Sequence, residues 1–226
     1  TYLFGGAVNI ENSGFTYAEY ARQGFWELLV VAFTTLLILL GADTIMKRSG
    51  KRMASFILPS LFITAEVMVI IVSAFKRLML YQSTYGLTEL RLYVAGFIIL
   101  LAVVFIVLAA KLLLKKEHNF FAFSALLCLI IFIVSFNLLN PDKFIAQKNI
   151  DRFRDTGKID APYLGGLSAD AVPTVLSVYN DLGDEDKFVM QNLMLEKKDR
   201  LQLWNKDWQC YNTSREKALE VLSQKF

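Results

Sequence analysis

The stretch ASFILPSLFITAEVMVIIVSAF, residues 54–75, decides the fold. It carries one ionisable side chain, Glu66, in a length that meets the roughly 20 residues needed to cross a bilayer. Leu, Ile, Val and Phe fall on every face of the helix it would form, so no polar stripe is left for water. A soluble four-helix core is the competing reading, and the missing polar faces argue against it. Pro59 lies one turn into the stretch and is expected to kink it. Three further stretches of the same kind occur on either side: Phe25 to Ala42, Leu92 to Ala110 and Phe120 to Leu139. Residues 17–24 can extend the first of these as helix. In lipid every backbone group must be satisfied within its own segment, which suits these sequences as helices.

Composition agrees once it is divided by position. Of 226 residues, 55% are apolar and 20% charged, against roughly 25% charged in soluble domains, and the mean hydropathy is +0.42. The charge concentrates in residues 140–226, which hold 13 Lys/Arg and 14 Asp/Glu. The predicted fold is therefore all-α: an integral membrane helical bundle of four transmembrane helices followed by a small soluble helical tail domain. The expected divisions are an outward-facing N-terminal segment 1–24, a spanning region 25–139 and a tail 140–226. An ordinary soluble enzyme, a disordered chain, a fibrous protein and a disulfide scaffold are all excluded. The chain starts at Thr1 rather than Met, for which processing or a longer protein with further spans upstream are the expected alternatives.

The connections assign sides. Lys47, Arg48, Lys51 and Arg52 follow the first span, and Lys111, Lys115 and Lys116 follow the third, on the same side by parity. Arg22, Lys76, Arg77 and Arg91 fall on the other side, a count of seven against four. Positive-inside counting puts the basic loops in the cytoplasm of a multi-pass cell-membrane protein. Segments 1–24, 76–91 and 140–226 then share the outward face, with the tail extracytoplasmic.

The tail reads as short helices with marked ends. Asn140-Pro141-Asp142 is expected to cap and start one, with Ala146, Ile150 and Phe153 on its apolar face and Gly157 at its end. Pro162 and Gly165-Gly166 mark a loop. Asp170 is the expected N-cap of a helix that buries Val172, Val175, Leu176 and Tyr179 and stops at Gly183. A third helix is predicted over Glu185–Leu203. A fourth starts near Thr213, where Thr213-Ser214-Arg215-Glu216 matches a capping box. Trp204 and Trp208 flank the break between these two and are expected to pack the tail's core, with an aromatic anchor at headgroup level as the alternative.

Several of these segments carry a family likeness. Tyr17-Ala18-Glu19-Tyr20-Ala21-Arg22-Gln23-Gly24-Phe25 and Tyr85-Gly86-Leu87-Thr88-Glu89-Leu90-Arg91 resemble successive motifs of bacterial multi-pass membrane proteins, the domain-of-unknown-function 4173/4153-type families. Asn149-Ile150-Asp151-Arg152, Asp160 to Leu164, and Leu167-Ser168-Ala169-Asp170-Ala171-Val172-Pro173 resemble their tail. Asp207-Trp208, Asn212 and Ser214-Arg215 resemble its final motif. The likeness runs over most of residues 15–218. It implies a membrane architecture and extra upstream spans, and no established activity.

Chemistry-bearing residues are few. Glu66 sits mid-span, where a charge costs at least about 2.5 kcal/mol, so it is expected to be a proton- or ion-path residue, a contact to a partner helix, or interhelical glue. Glu19, Arg22 and Glu27 lie at helical spacing at the outer edge of the first span, with Glu89 and Arg91 at the same depth before the third. These are interfacial salt bridges or, with Asn149, Arg152 and Asp170 from the tail, a polar pocket on the outward face. His118 is the lone histidine, and neither Cys128 nor Cys210 has a second thiol or histidine at ligand spacing. No metal, cofactor or Ser-His-Asp set is expected, and Gly5-Gly6 and Gly165-Gly166 lack a nucleotide-binding context. The net charge of +3 is spread over short loops, which speaks against nucleic acid.

Function is therefore expected to be that of a binding or scaffold subunit in contact with the lipid bilayer, with a protein partner or a second copy of itself, a lipid headgroup or a small ligand on its outward face. A transporter or channel component using Glu66 is the alternative, and an enzyme acting on lipid or envelope polymer ranks last.

Overall fold

The computed structural model describes residues 17–45, 50–114, 118–204 and 212–226. Among these residues the chain is all-α. Four long helices come first: α1 (Tyr17–Ile45), α2 (Gly50–Tyr85), α3 (Glu89–Leu113) and α4 (His118–Leu138). Each is long and apolar enough to cross a membrane. Five shorter ones follow: α5 (Pro141–Thr156), α6 (Ala161–Gly166), α7 (Val172–Leu176), α8 (Asp184–Trp204) and α9 (Thr213–Lys225). The chain divides into two compact units, one of Thr1–Tyr85 with Leu90–Ser135, the other of Gly86–Glu89 with Phe136–Phe226.

In the first unit, α1 and α2 form an antiparallel hairpin. The buried face of α2 runs Ser60, Thr64, Val67, Ile71, Ala74 and Leu78, and that of α1 runs Gly24, Leu28, Ala32 and Leu39. Small residues on both helices allow close approach, the usual driving geometry where lipid removes the hydrophobic term between helices. Thr64 Oγ1 donates to Ser60 O at 2.7 Å, which satisfies its hydroxyl away from water. From α3, Ile98, Phe105, Leu108 and Leu112 join this core, and among the described residues of α4 only Phe121 is buried in it. Pro59 lies inside α2, on its exposed side.

The expected loop 76–91 contracts to residues 86–88. Lys76 and Arg77 look like a membrane edge, but the apolar face at 67, 71, 74 and 78 runs straight past them, and no breaker comes before Gly86. At 36 residues, α2 is about 54 Å long and outreaches a hydrocarbon core of about 30 Å.

The second unit packs its own core from Ile145, Ala146 and Ile150 of α5, Leu164 of α6, Val172 and Val175 of α7, Met190 and Met194 of α8, and Leu222 of α9. The predicted third tail helix matches α8 to within a residue at each end. Gly157 closes α5 in the left-handed region, its N–H bonded to Phe153 O at 2.7 Å.

Four local expectations are corrected. Asn140 is itself left-handed (φ 51°) and makes no side-chain cap, leaving Pro141 to start α5. The expected loop at Pro162 and Gly165-Gly166 is helix α6, capped by Asp160, whose Oδ1 accepts from Tyr163 N at 3.0 Å. Asp170 sits inside a 3-10 turn rather than capping a helix, and α9 is capped one residue earlier than the capping box suggests, by Asn212. The expectations for residues 1–16, for the basic residues at 46–49 and 115–117, and for Trp208 and Cys210 lie outside the described residues, as do the side chains of Trp204 and His118.

Candidate functional site

A polar network of the second unit gathers around segment 86–89. Gly86 turns the chain at φ 83°, a conformation that only glycine adopts without strain. That turn presents both backbone groups of Leu87 to Asn149 on α5. Leu87 N donates to Asn149 Oδ1 at 3.0 Å, and Asn149 Nδ2 donates to Leu87 O at 2.7 Å. A side chain at position 86 would collide with Asn149 Oδ1, while Arg152 Nη1 stands just beyond it. The Asp160 cap on α6 aims Tyr163, whose hydroxyl accepts from Glu89 N at 3.0 Å. The Asp142 carboxyl neighbours that of Glu89, and Asp142 Oδ2 accepts from Ser168 N at 2.9 Å. Lys197 on α8 completes the set by donating to Leu167 O.

Burial pushes the Lys197 ammonium down to about 8, with the Arg200 charge adding to the effect and Asp142 opposing it. In the unfolded chain the same group holds its proton up to about 10.4. Between those values the unfolded state binds more protons, so stability of the second unit rises as pH climbs from about 8 to about 10.5. Below pH 8 the penalty for burying the charge is fully present. Lys197→Met is expected to flatten this rise, gaining on the wild type more at pH 7 than at pH 10. Denaturation curves of the full chain across that range test this, and a constant gap between the two proteins would refute it.

On the far side of Leu167 and Lys197 lies a cleft of about 420 Å³. Its walls are the 166–170 segment, Lys197, Arg200 and Leu201 of α8, and Asn212, Ser214 and Arg215 at the start of α9. Among the described residues, three cationic side chains and one carboxylate, that of Asp170, line it.

In the first unit the polar residues form separate pairs. Glu27 meets Arg77 at 3.8 Å and accepts from Gln23 Nε2 at 3.1 Å. Arg77 is buried, and its guanidinium lies where a side chain on residue 24 would sit, so Gly24 makes room for it. Asp43 and Lys111 form a second pair at 2.6 Å, with the Lys111 side chain 1% exposed. Arg91 stacks 4.0 Å over the Tyr81 ring and donates to the Tyr81 hydroxyl at 2.9 Å. Glu66 faces outward from α2, exposed, as are Glu19 and Arg22 on α1.

The outward cluster read from sequence thus divides. Glu89, Asn149 and Arg152 come together with Gly86 and Leu87, Asp170 lines the cleft, and Glu19, Arg22 and Arg91 belong to the first unit. Asp142, Tyr163, Lys197 and Arg200 were missed as site residues. Asp160 before Pro162 and Tyr163 was the one local signal for them, since Asp ahead of Pro at the first helical turn is a cap pattern. Among the described residues, no three His, Cys, Asp or Glu side chains gather as a metal site.

No curated protein and no solved structure matches the chain. A family match covers residues 1–178, which takes in all four long helices, segment 86–89, Asn149, Tyr163 and Asp170, and stops short of α8 and α9. On that match, and with four helices able to span a membrane, the chain belongs to the family described as domain of unknown function DUF4153.

Proposed function

We propose that the chain is a binding subunit of a bacterial plasma-membrane complex and engages a partner protein through its second unit. The observation that carries this reading is the incorporation of segment 86–89, from between two membrane-type helices, into the same compact unit as the tail. Segments about 60 residues apart, joined by the Asn149–Leu87 bonds, make a preformed body tied to the membrane helices through the chain itself. Helix α8 adds Phe188, Leu195 and Leu203, exposed at i, i+7 and i+15 along one side. Exposed apolar side chains along one side of a helix would supply the apolar part of such a contact. The excess of basic residues in the two opposite loops supports a tail on the extracytoplasmic side.

The chain purified in mild detergent is expected to retain one partner in fixed ratio, either another subunit or a second copy. Phe188→Ser with Leu203→Ser should release it. A chain that runs alone, or a partner retained regardless of these changes, would overturn the reading.

Glu66 keeps a transport role in second place, because an exposed acid in the middle of an apolar span needs a polar counterpart outside this unit. If the counterpart is a partner helix, Glu66→Gln preserves assembly and Glu66→Leu weakens it. Flux in proteoliposomes that depends on Glu66 would favour transport instead.

A further inference from the structure

The geometry points to the cleft between the 166–170 segment, α8 and the start of α9 as a binding site for a phosphate monoester group, carried by a small soluble molecule or by a lipid headgroup. This is independent of the partner-protein reading, because the site is a concave cleft with charged side chains on its walls and not the apolar row of α8.

Lys197, Arg200 and Arg215 reach the cleft from two helices, against the one carboxylate of Asp170. Among the described lining residues that is a surplus of about two positive charges, which matches the −1.5 to −2 of a phosphate monoester near neutral pH. A volume of about 420 Å³ is that of a small-molecule pocket and exceeds what a bare ion needs. Arg200 also pairs with Glu196 at 3.4 Å on the exposed side of α8, a contact that is weak and readily exchanged for a phosphate oxygen. Lys197, held by Leu167 O, adds a positioned amine at the inner end. Ser168 and Ser214 add hydroxyls, and Leu167 and Leu201 supply apolar wall for the rest of the ligand. The amides of Ser214 and Arg215 are already taken by Asn212 Oδ1, at 2.8 and 3.3 Å, so side chains rather than the helix end make the site. Guanidinium pairs are the preferred protein partners of phosphate because two parallel N–H groups match two oxygens.

The test uses the full chain in nanodiscs. Glycerol phosphate, inorganic phosphate and acetate are titrated into discs of phosphatidylcholine, and binding of the chain to vesicles is compared with and without phosphatidate. Saturable binding of glycerol phosphate assigns a soluble ligand, and binding confined to phosphatidate vesicles assigns a headgroup; either supports the site. Arg200→Gln and Arg215→Gln should each weaken binding about tenfold, the usual size of one lost charge-assisted bond. Arg200→Lys should recover part of the loss, which separates a local effect from a folding defect. Arg154→Gln, an exposed cation on α5 away from the cleft, should change nothing. The proposal fails if acetate binds as tightly as phosphate, if Arg154→Gln is as damaging as the cleft variants, or if no phosphate probe binds in either arm.

Discussion

Asp43→Ala is expected to destabilise the first unit by about 3–5 kcal/mol, the range for removing one partner of a buried ion pair. The Lys111 ammonium is 2.6 Å from Asp43 Oδ2, and its side chain is 1% exposed, so losing the carboxylate removes the counter-charge that offsets its desolvation. Leu108 and Leu112 flank it along the buried face of α3, and the Phe121 ring centroid is 6.0 Å away. Lys111→Met should cost less. Asp43 is 14% exposed and keeps some access to solvent, and Met fills the volume of the lysine stem. The double variant should recover most of the loss, since an apolar pair of similar volume often matches a buried ion pair. Unfolding by increasing SDS in mixed micelles measures all four proteins of this cycle. A single Asp43→Ala variant within about 0.5 kcal/mol of the wild type would show that Lys111 finds another counter-ion, and that Asp43 is not what compensates its burial.

The pair also shows where reading the sequence stops. Lys111 counts correctly as a positive charge at the end of the third span. Nothing local says that it turns inward, because its partner lies 68 residues away and is chosen by how α1 and α3 pack. Arg77 was hidden for a different reason. Two adjacent cations are a good sign of a membrane edge, but α2 continues because the apolar spacing at 67, 71, 74 and 78 outweighs them. The spans themselves were legible because bulk hydropathy needs no tertiary information. Helix α8 was legible because Gly183 and the acidic first turn mark its start. The tail's turns were the least legible part. Asn140, Asp160, Asp170 and Asn212 are all competent cap residues, and only packing selects Asp160 and Asn212 for that work.

That same selection gives Asn149 its weight in the candidate site, where Asn149→Ala is expected to loosen segment 86–89 by about 2–4 kcal/mol. The change leaves both the N–H and the C=O of Leu87 without their side-chain partner, at a cost of about 1–3 kcal/mol for each buried group. Leu87 is 8% exposed and Gly86 is buried, so water does not readily replace what is lost. Exchange of the Leu87 amide with deuterium should accelerate by about 30- to 1000-fold if local opening governs it. Asn149→Asp keeps an acceptor for Leu87 N–H but loses the donor to Leu87 O, so it should fall between alanine and the wild type. Gly86→Val attacks the same contact from the other side, because the left-handed turn costs a β-branched residue at least about 1–2 kcal/mol before its side chain meets Asn149. The Tyr163–Glu89 bond remains in every one of these variants, so the segment should open without unfolding the tail, whose core at Ile145, Val175 and Met194 does not involve it. Accelerated exchange confined to 86–89 is therefore the expected pattern. Unchanged protection of Leu87 in Asn149→Ala would mean that the segment is held by its flanking helices alone, and the preformed body from which partner binding is proposed would lose its physical basis.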